Sequence, residues 1–68
     1  MINVTVGNGT NINITSYGKS MYGGWYLDFK DNTHDCYDGI RRNTLRELCQ
    51  WARVSPTALR RDVKRWDN

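Results

Sequence analysis

Residues 54–66 constrain the fold of this chain more than any other stretch. Ser55 is a favourable N-cap, and Pro56 suits the first position of a helix, where its missing N–H would be unpaired anyway. The apolar residues that follow recur at the spacing of one helix face: Leu59, Val63 and Trp66. The positions between them are mostly cationic. The pattern predicts a helix over residues 56–66 with an apolar side and a basic side.

A second, shorter helix is predicted just before it. Thr44 followed three residues later by Glu47 is the capping-box pattern that begins many helices. The apolar positions that follow share one face: Leu45, Leu48, Cys49 and Ala52. This helix would end near Arg53 and Val54. Two helices joined by about three residues have the geometry of a helix-turn-helix.

Residues 44–66 resemble the helix-turn-helix of bacterial DNA-binding regulators, most closely the DeoR-type motif, whose second helix typically runs Val-Ser-Pro-x-Thr-Ile-Arg-Arg-Asp-Leu. The matching positions are Val54, Ser55, Pro56, Leu59, Arg60, Arg61, Asp62 and Val63. Cys49 fills the place of the small residue that lets the helices approach. Arg53 stands where the family usually has Gly, which places an Arg in a left-handed turn at a cost of roughly 1 kcal/mol.

The resemblance implies a small transcriptional regulator of phage or bacterial type whose second helix enters the major groove of double-stranded DNA. The residues nearest the base edges would be Thr57, Ala58 and Arg61, after the cap Ser55. The phosphate contacts would come from Arg53, Arg60, Lys64 and Arg65, with additional ones from Arg41, Arg42 and Arg46. A monomer of this size would bind weakly, so we expect a homodimer formed through the edge of the N-terminal hairpin.

The charge distribution agrees with a polyanionic partner. The chain has 68 residues and a formal net charge of +3. Residues 1–38 hold two Lys against four Asp, whereas residues 39–68 hold eight cations against three anions. This asymmetry favours salt-dependent association with nucleic acid. The alternative is an ordinary solvated helix face, because cations also favour the C-terminal turn of a helix.

The first half of the chain has the alternation of β-strands. Apolar residues alternate with Asn and Thr on both sides of Gly7-Asn8-Gly9, which predicts a β-hairpin. Residues 17–24 are predicted as a mobile, glycine-containing loop. The strand Trp25–Lys30 follows, with Trp25, Leu27 and Phe29 on one face and Tyr26, Asp28 and Lys30 on the other. A short fourth strand is expected from His34 to Tyr37, before Asp38-Gly39 ends it.

The predicted fold class is α+β, with a small antiparallel sheet of three or four strands packed on a C-terminal helix-turn-helix pair. The contact would be made by Leu45, Leu48, Leu59, Val63 and one or more of Trp51 and Trp66. A chain of this length makes one small domain. Its β-sheet half would be residues 1–38, and its helix-turn-helix half residues 43–67.

The residues disfavour metal binding and catalysis. His34, Cys36 and Cys49, even with Asp35 or Asp38, contain no Cys-x-x-Cys pair and too few firm ligands for structural zinc. A Cys–His nucleophile would lack a helix terminus or a third orienting group. The cysteines are interpreted as free, mostly buried thiols, with a strand-to-helix disulfide as the alternative. We expect no cofactor and no enzymatic activity.

Two other interpretations stay open. The aromatic residues Tyr17, Tyr22, Trp25, Tyr26 and Tyr37 could stack on single-stranded nucleic acid, although aromatics in small sheets more often pair with one another. In size and layout the chain also resembles phage-encoded inhibitors such as anti-CRISPR proteins. Such a protein would anchor residues 17–24 and exposed aromatics on a host protein or ribonucleoprotein complex.

The sequence also bears on location. No apolar run approaches the roughly 20 residues of a membrane span. The N-terminus lacks the cationic and apolar regions of a secretory signal. We therefore expect a cytoplasmic protein that does not associate with membranes.

Overall fold

The computed structural model describes residues 1–66. In chain order its elements are β1 (Ile2–Thr5), β2 (Asn11–Lys19), β3 (Trp25–Asp31), β4 (Cys36–Arg42), α1 (Leu45–Ala52), α2 (Pro56–Asp62) and β5 (Lys64–Trp66). The first four strands form an antiparallel sheet in the order β1-β2-β3-β4, and the two helices follow it. The predicted α+β class is confirmed. Residue 67, the last of the predicted helix-turn-helix half, lies outside the described residues.

The N-terminal hairpin forms as predicted. Strands β1 and β2 pair antiparallel, with Val4 opposite Ile12 and Asn3 opposite Asn13. The turn between them is closed by hydrogen bonds between the backbones of Val6 and Thr10 and from Gly9 N–H to the Val6 carbonyl. Gly9 has a φ of 86°, a conformation that a residue without Cβ adopts at little cost.

Strand β2 is longer than predicted. It continues to Lys19, so residues 17–19 belong to the sheet and only Ser20 to Gly24 form the turn. The pairing with β3 shifts between Ile14 and Ser16, which is a β-bulge. Because the bulge adds one residue, Tyr17 lies on the same face as Ile14 and is buried. Strict alternation of apolar and polar residues predicts no such shift, so the sequence pattern did not indicate that the strand continues past the bulge.

Strand β4 is also longer than predicted and lies later in the chain. Its expected end at Asp38-Gly39 is wrong, because the strand runs through both residues to Arg42. The reason is the partner strand: β3 offers a complete ladder, in which Leu27 is opposite Ile40 and Tyr26 opposite Arg41. Gly39 is tolerated because the Tyr26 ring covers its backbone.

The second helix is shorter than predicted. It ends at Asp62, and Val63 takes an extended conformation with a φ of −122°. Residues 64–66 form β5, which pairs parallel with Ser16–Gly18 of β2. This segment of β2 pairs with β3 on its other edge, and since β1 pairs only with Asn11–Ile14, the backbone groups on the edge away from β3 would otherwise lack a strand partner. Tertiary pairing therefore overrides the helical periodicity of the last three described residues.

The sheet has two unlike faces. The helices cover one face, where the apolar side chains of the strands meet those of α1 and α2. The buried core consists of Val6, Ile12, Ile14, Tyr17, Leu27, Phe29, Leu48, Cys49, Ala52, Leu59 and Val63. Trp51 packs against Phe29 with ring centroids 5.4 Å apart. We call the opposite side the open face; it carries Asn3, Asn13, Tyr26, Asp28, Lys30, Tyr37, Lys64 and Trp66.

Candidate nucleic-acid interface

The two helices begin where the sequence predicts. The Thr44 side chain accepts a hydrogen bond from Glu47 N–H at 3.2 Å, and the Glu47 carboxylate accepts one from the Thr44 hydroxyl. The Ser55 hydroxyl accepts a hydrogen bond from Ala58 N–H at 3.1 Å. Both caps satisfy donors that a helix start leaves unpaired. They fix the direction of each short helix.

The turn between the helices consists of Arg53, Val54 and Ser55. Arg53 is left-handed, with φ 57° and ψ 40°, as its place in the motif predicts. Its backbone N–H donates to the carbonyls of Cys49 and Gln50 in the last turns of α1. The chain thus changes direction within three residues and continues into α2.

Most of α2 faces solvent. Leu59 is its one fully buried residue, Ala58 is half-buried, and Pro56, Thr57, Arg60 and Arg61 are exposed. One apolar anchor attaches the helix to the core. Its first turn and its basic residues are therefore available to a partner, which is the property that a recognition helix needs.

Arg60 lies on the side of α2 that approaches α1. Burial raises the pKa of the Cys49 thiol, and the positive charge of Arg60 opposes that rise. The thiol is thus held neutral in the core, and Arg60 is near enough to act on it electrostatically. Arg60 itself is exposed on the surface.

Arg61 is paired with its neighbour. Its Nε and Nη2 donate to the two carboxylate oxygens of Asp62 at 3.1 and 3.0 Å. The side chains are 70% and 41% exposed, respectively. The hydrogen bonds from Arg61 lower the pKa of Asp62, so this carboxylate stays ionised. Because an exposed ion pair is weak, another anion can readily replace Asp62 as the partner of Arg61.

Lys64 and Arg65 do not extend the basic side of α2, because they belong to β5. Arg65 lies with its guanidinium 5.2 Å from the centroid of Trp25, on the helix-covered side of the sheet. Lys64 is opposite Ser16 and lies on the open face. The prediction that both extend the second helix is wrong, since the sheet separates the two side chains.

The three additional arginines also diverge. Arg46 is exposed on α1. Arg41 belongs to the open face, where its Nη1 donates to the Gly23 carbonyl at 3.0 Å. Arg42 is half-buried and donates to the Arg41 carbonyl at 2.8 Å. Of the predicted site, the structure thus brings together the helix-pair residues: Arg53, Ser55, Thr57, Ala58, Arg60 and Arg61.

A groove lies next to this turn. It has a volume of about 390 Å³ and is lined by residues of the β1–β2 turn and the end of α1: Val6, Gly7, Asn8, Gln50, Trp51 and Arg53. A smaller groove of about 170 Å³ continues past Trp51 towards His34 and Asp31. The Nδ1 of His34 is 2.7 Å from an Asp31 carboxylate oxygen. Sequence reasoning missed these grooves, because they join residues that are distant in the chain.

The cysteines are free thiols, as predicted. Cys49 is buried, but Cys36 is exposed on β4, so the expectation that both are mostly buried is wrong for Cys36. Within residues 1–66 no group of three or more His, Cys, Asp or Glu is arranged to hold a metal ion. No helix in this part of the chain is long and apolar enough to cross a membrane.

Comparison with known proteins leaves the site to be interpreted from its own geometry. Protein-family models, curated proteins and solved structures gave no match to this chain.

Proposed function

We propose that the chain is a DNA-binding protein that presents α2 to the major groove of a duplex, as a small regulator of phage or bacterial type would. The observation that carries the proposal is the capped helix pair, in which a three-residue turn leaves the first turn of α2 exposed. In this arrangement Thr57, Ala58 and Arg61 contact base edges. Ser55, Arg53 and Arg60 lie nearest the phosphates, and the exposed Arg46 adds a contact from the first turn of α1.

Charge supports this orientation. Arg46, Arg53, Arg60 and Arg61 are exposed on the two helices and their turn. Glu47 and Asp62 are the anions of the same elements, and both already accept hydrogen bonds from side chains of the chain. The helix pair therefore meets solvent with an excess of positive charge. Such a surface attracts a duplex by releasing its counterions.

Binding to random and selected DNA duplexes at low and high salt tests the proposal. Arg61→Ala should weaken binding to a selected duplex roughly tenfold and relax the preference at one base pair, because a bidentate Arg–guanine contact is lost. Lys30→Gln is the matched control, since it removes one charge from the open face. Absence of any duplex binding at low salt would reject the proposal.

The Arg61–Asp62 pair permits a test in the opposite direction. Asp62→Asn removes the negative charge and one of the two acceptor oxygens that compete with DNA for the Arg61 guanidinium. The variant should bind a duplex more tightly than the parent protein. Asp35→Asn is its control, because it releases Lys30, whose Nζ lies 3.3 Å from an Asp35 oxygen on a turn away from the helices. Equal affinities for all three proteins would mean that Arg61 does not contact the duplex.

We propose that the active form is a cytoplasmic homodimer. Among residues 1–66, strand β1 pairs with β2 alone and forms one end of the antiparallel order, so its outer backbone edge is available for pairing. Two copies joined there would present two recognition helices to successive half-sites. Sedimentation at micromolar concentration should give twice the mass of one chain. A single chain at all concentrations would contradict the dimer.

A second candidate function is inhibition of a nucleic-acid machine through a protein contact. The observation that favours it is the β2–β3 turn, where Met21 is 75% exposed and Tyr22 87% exposed. Exposed Tyr residues are frequent anchors of protein interfaces. A host partner retained after nuclease treatment, and lost with Tyr22→Ala, would favour this function. Loss of every partner after nuclease treatment would favour DNA.

A further inference from the structure

The open face of the sheet carries aromatic side chains that the core does not use. Directly opposed residues project to the same side of a sheet, so the pairing defines three rows across this face. The rows are Trp66–Gly18–Tyr26–Arg41, Lys64–Ser16–Asp28–Gly39 and Asn3–Asn13–Lys30–Tyr37. Tyr37 is 77% exposed, whereas Tyr26 and Trp66 are half-buried.

Two of the rings lie against glycines of the strands. A Cβ added to Gly18 would lie 2.6 Å from two ring atoms of Trp66, and one added to Gly39 would overlap the Tyr26 ring. The two rings therefore cover the strand backbone at these glycines, where a side chain would leave no room for them. Tyr26 and Trp66 both keep part of their surface exposed to solvent.

A partly buried hydrogen bond fixes the orientation of the indole. Trp66 Nε1 donates to an Asp28 carboxylate oxygen at 2.9 Å, and the Ser16 hydroxyl donates to the same oxygen at 2.8 Å. Asp28 is half-buried and its Oδ2 is occupied by these two donors. The indole is thus held in place before any ligand arrives, which lowers the entropic cost of binding.

Cations surround the rings. Lys30 Nζ lies 5.9 Å from the centroid of Tyr37. Lys64 and Arg41 belong to the two rows that contain Trp66 and Tyr26. Lys30 is also 3.3 Å from an exposed Asp35 carboxylate oxygen, and Asp28 accepts from Trp66 and Ser16, so the excess of positive charge next to the rings comes from Lys64 and Arg41. This charge complements an anionic ligand.

The remaining part of the open face is a network of side-chain amides. Asn3 Nδ2 donates to the amide oxygens of Asn13 at 2.6 Å and Asn11 at 2.9 Å, and Asn32 Nδ2 donates to Asn11 at 2.9 Å. Amides offer donors and acceptors together. They match the edges of unpaired bases, which also present both.

We propose that the open face binds single-stranded nucleic acid by stacking bases on Tyr37, Tyr26 and Trp66, with Lys30, Lys64 and Arg41 on the phosphates. An open sheet face with exposed or partly exposed aromatic rings and flanking cations is an arrangement that suits unpaired bases. A duplex cannot use it, because its bases are already stacked. The site lies on the opposite side of the sheet from the helix pair and is independent of the proposed duplex contact.

The test is fluorescence anisotropy of labelled oligothymidylate and oligouridylate of roughly 12 nucleotides, within the range of known single-strand site sizes. Binding should occur at low salt. Tyr37→Leu should weaken it by roughly five-fold or more, the loss expected for one stacked base. Because Tyr37 is exposed, this substitution leaves the core intact. The two oligomers distinguish DNA from RNA as the preferred strand.

Two matched controls separate this face from the rest of the surface. Tyr22→Leu removes an equally exposed tyrosine from the β2–β3 turn and should leave the affinity unchanged. Lys64→Gln should weaken single-strand binding, whereas Arg60→Gln, which removes one charge from α2, should not. Circular dichroism melting of each variant checks that the fold is retained.

The outcomes are distinct from those of the duplex experiment. Equal affinities of the parent protein and Tyr37→Leu would overturn the proposal, as would equal losses for Lys64→Gln and Arg60→Gln. Displacement of the oligomers by polyglutamate at matched charge would also overturn it, since the face would then recognise charge alone. Single-strand binding that persists when no duplex binds would support this site and reject the helix-pair function.

Discussion

The two faces of one sheet have opposite chemistry, although the same strands form both. On the helix-covered face, Ile12, Ile14 and Leu27 are fully buried and their neighbours are apolar. The sequence neighbours of these buried residues are polar or aromatic and lie on the open face: Asn13, Tyr26 and Asp28. The first face has to be apolar, because it supplies the core of a very short chain.

Folding requires the apolar side chains of the covered face but does not dictate those of the open face. A covered face with a complete core would permit any polar residues on the other side. The open face instead carries three rings, two of them lying on strand glycines. Glycine in a strand is conformationally unfavourable, so these positions lower stability unless the rings offset the loss by covering the backbone. Tyr26 and Trp66 therefore cover the strand backbone and also belong to the proposed single-strand site.

The largest expected effect contrasts the faces directly. Leu27→Ala should destabilise the protein by about 2–5 kcal/mol, because it leaves a cavity at a fully buried site. Tyr37→Ala on the open face should change stability by no more than about 0.5 kcal/mol. Urea unfolding of both variants measures the difference. Similar losses would mean that the open face is part of the stabilising core.

The second effect tests the packing of Trp66 against Gly18 of β2. Gly18→Ala should destabilise the protein by about 1–3 kcal/mol, because the new methyl group overlaps Trp66 and must displace β5. Gly7→Ala is the control, since the nearest neighbouring atom would be an Arg53 nitrogen 4.0 Å away. Hydrogen exchange of the β5 amides should rise in the first variant alone. Unchanged exchange would show that Trp66 does not depend on the glycine.

A third effect separates stability from duplex binding at the inter-helix turn. Arg53 has a φ of 57°, which costs a residue with a Cβ roughly 1 kcal/mol. Arg53→Gly should therefore raise the melting temperature while it weakens duplex binding, because a phosphate contact is lost. Ser55→Ala should lower stability by about 1 kcal/mol through loss of the cap. A glycine variant that binds the duplex as well as the parent would remove Arg53 from the site.

The smallest effect concerns pH. Among the described residues no polar or charged side chain is fully buried, so pH dependence should come from turns and exposed pairs. Burial alone would raise the pKa of Asp31, but the hydrogen bonds and charge of His34 lower it below its ordinary value of 3.8. A carboxyl group with a lowered pKa stabilises the fold above that value and loses this contribution as the pH falls below it.

Asp31→Asn should therefore flatten the fall of stability below pH 3.8 and have little influence on its pH dependence near neutrality. Thermal melts between pH 2 and pH 7 measure it. If the melting temperatures of the parent and the variant fall in parallel below pH 3.8, this contribution does not come from Asp31.

Local patterns predict much of this fold. The caps Thr44 and Ser55, the left-handed Arg53 and the alternation of Trp25–Lys30 are confirmed, because each depends on residues within one turn or one strand. The duplex-binding function stays a prediction. The bulge after Ile14 and the capture of residues 64–66 by β2 were not predictable, because both depend on pairing between distant segments.

The same limit applies to the sites. The basic residues of α2 follow from its periodicity, and their exposure follows from the single anchor Leu59. The open-face site cannot be predicted in this way, since Trp66 joins Tyr26 and Tyr37 only because residues 64–66 pair with β2. Counted along the sequence, these rings are ordinary strand and helix aromatics. Only the register of the sheet assembles them.

Amide chemical-shift mapping during titration with a selected DNA duplex shows which side of the molecule binds it. If the helix pair contacts the duplex, the shifts should concentrate at residues 53–61 and the open-face amides of Tyr26 and Tyr37 should stay in place. Shifts confined to the open face, with the helix pair unaffected, would contradict the proposed duplex contact.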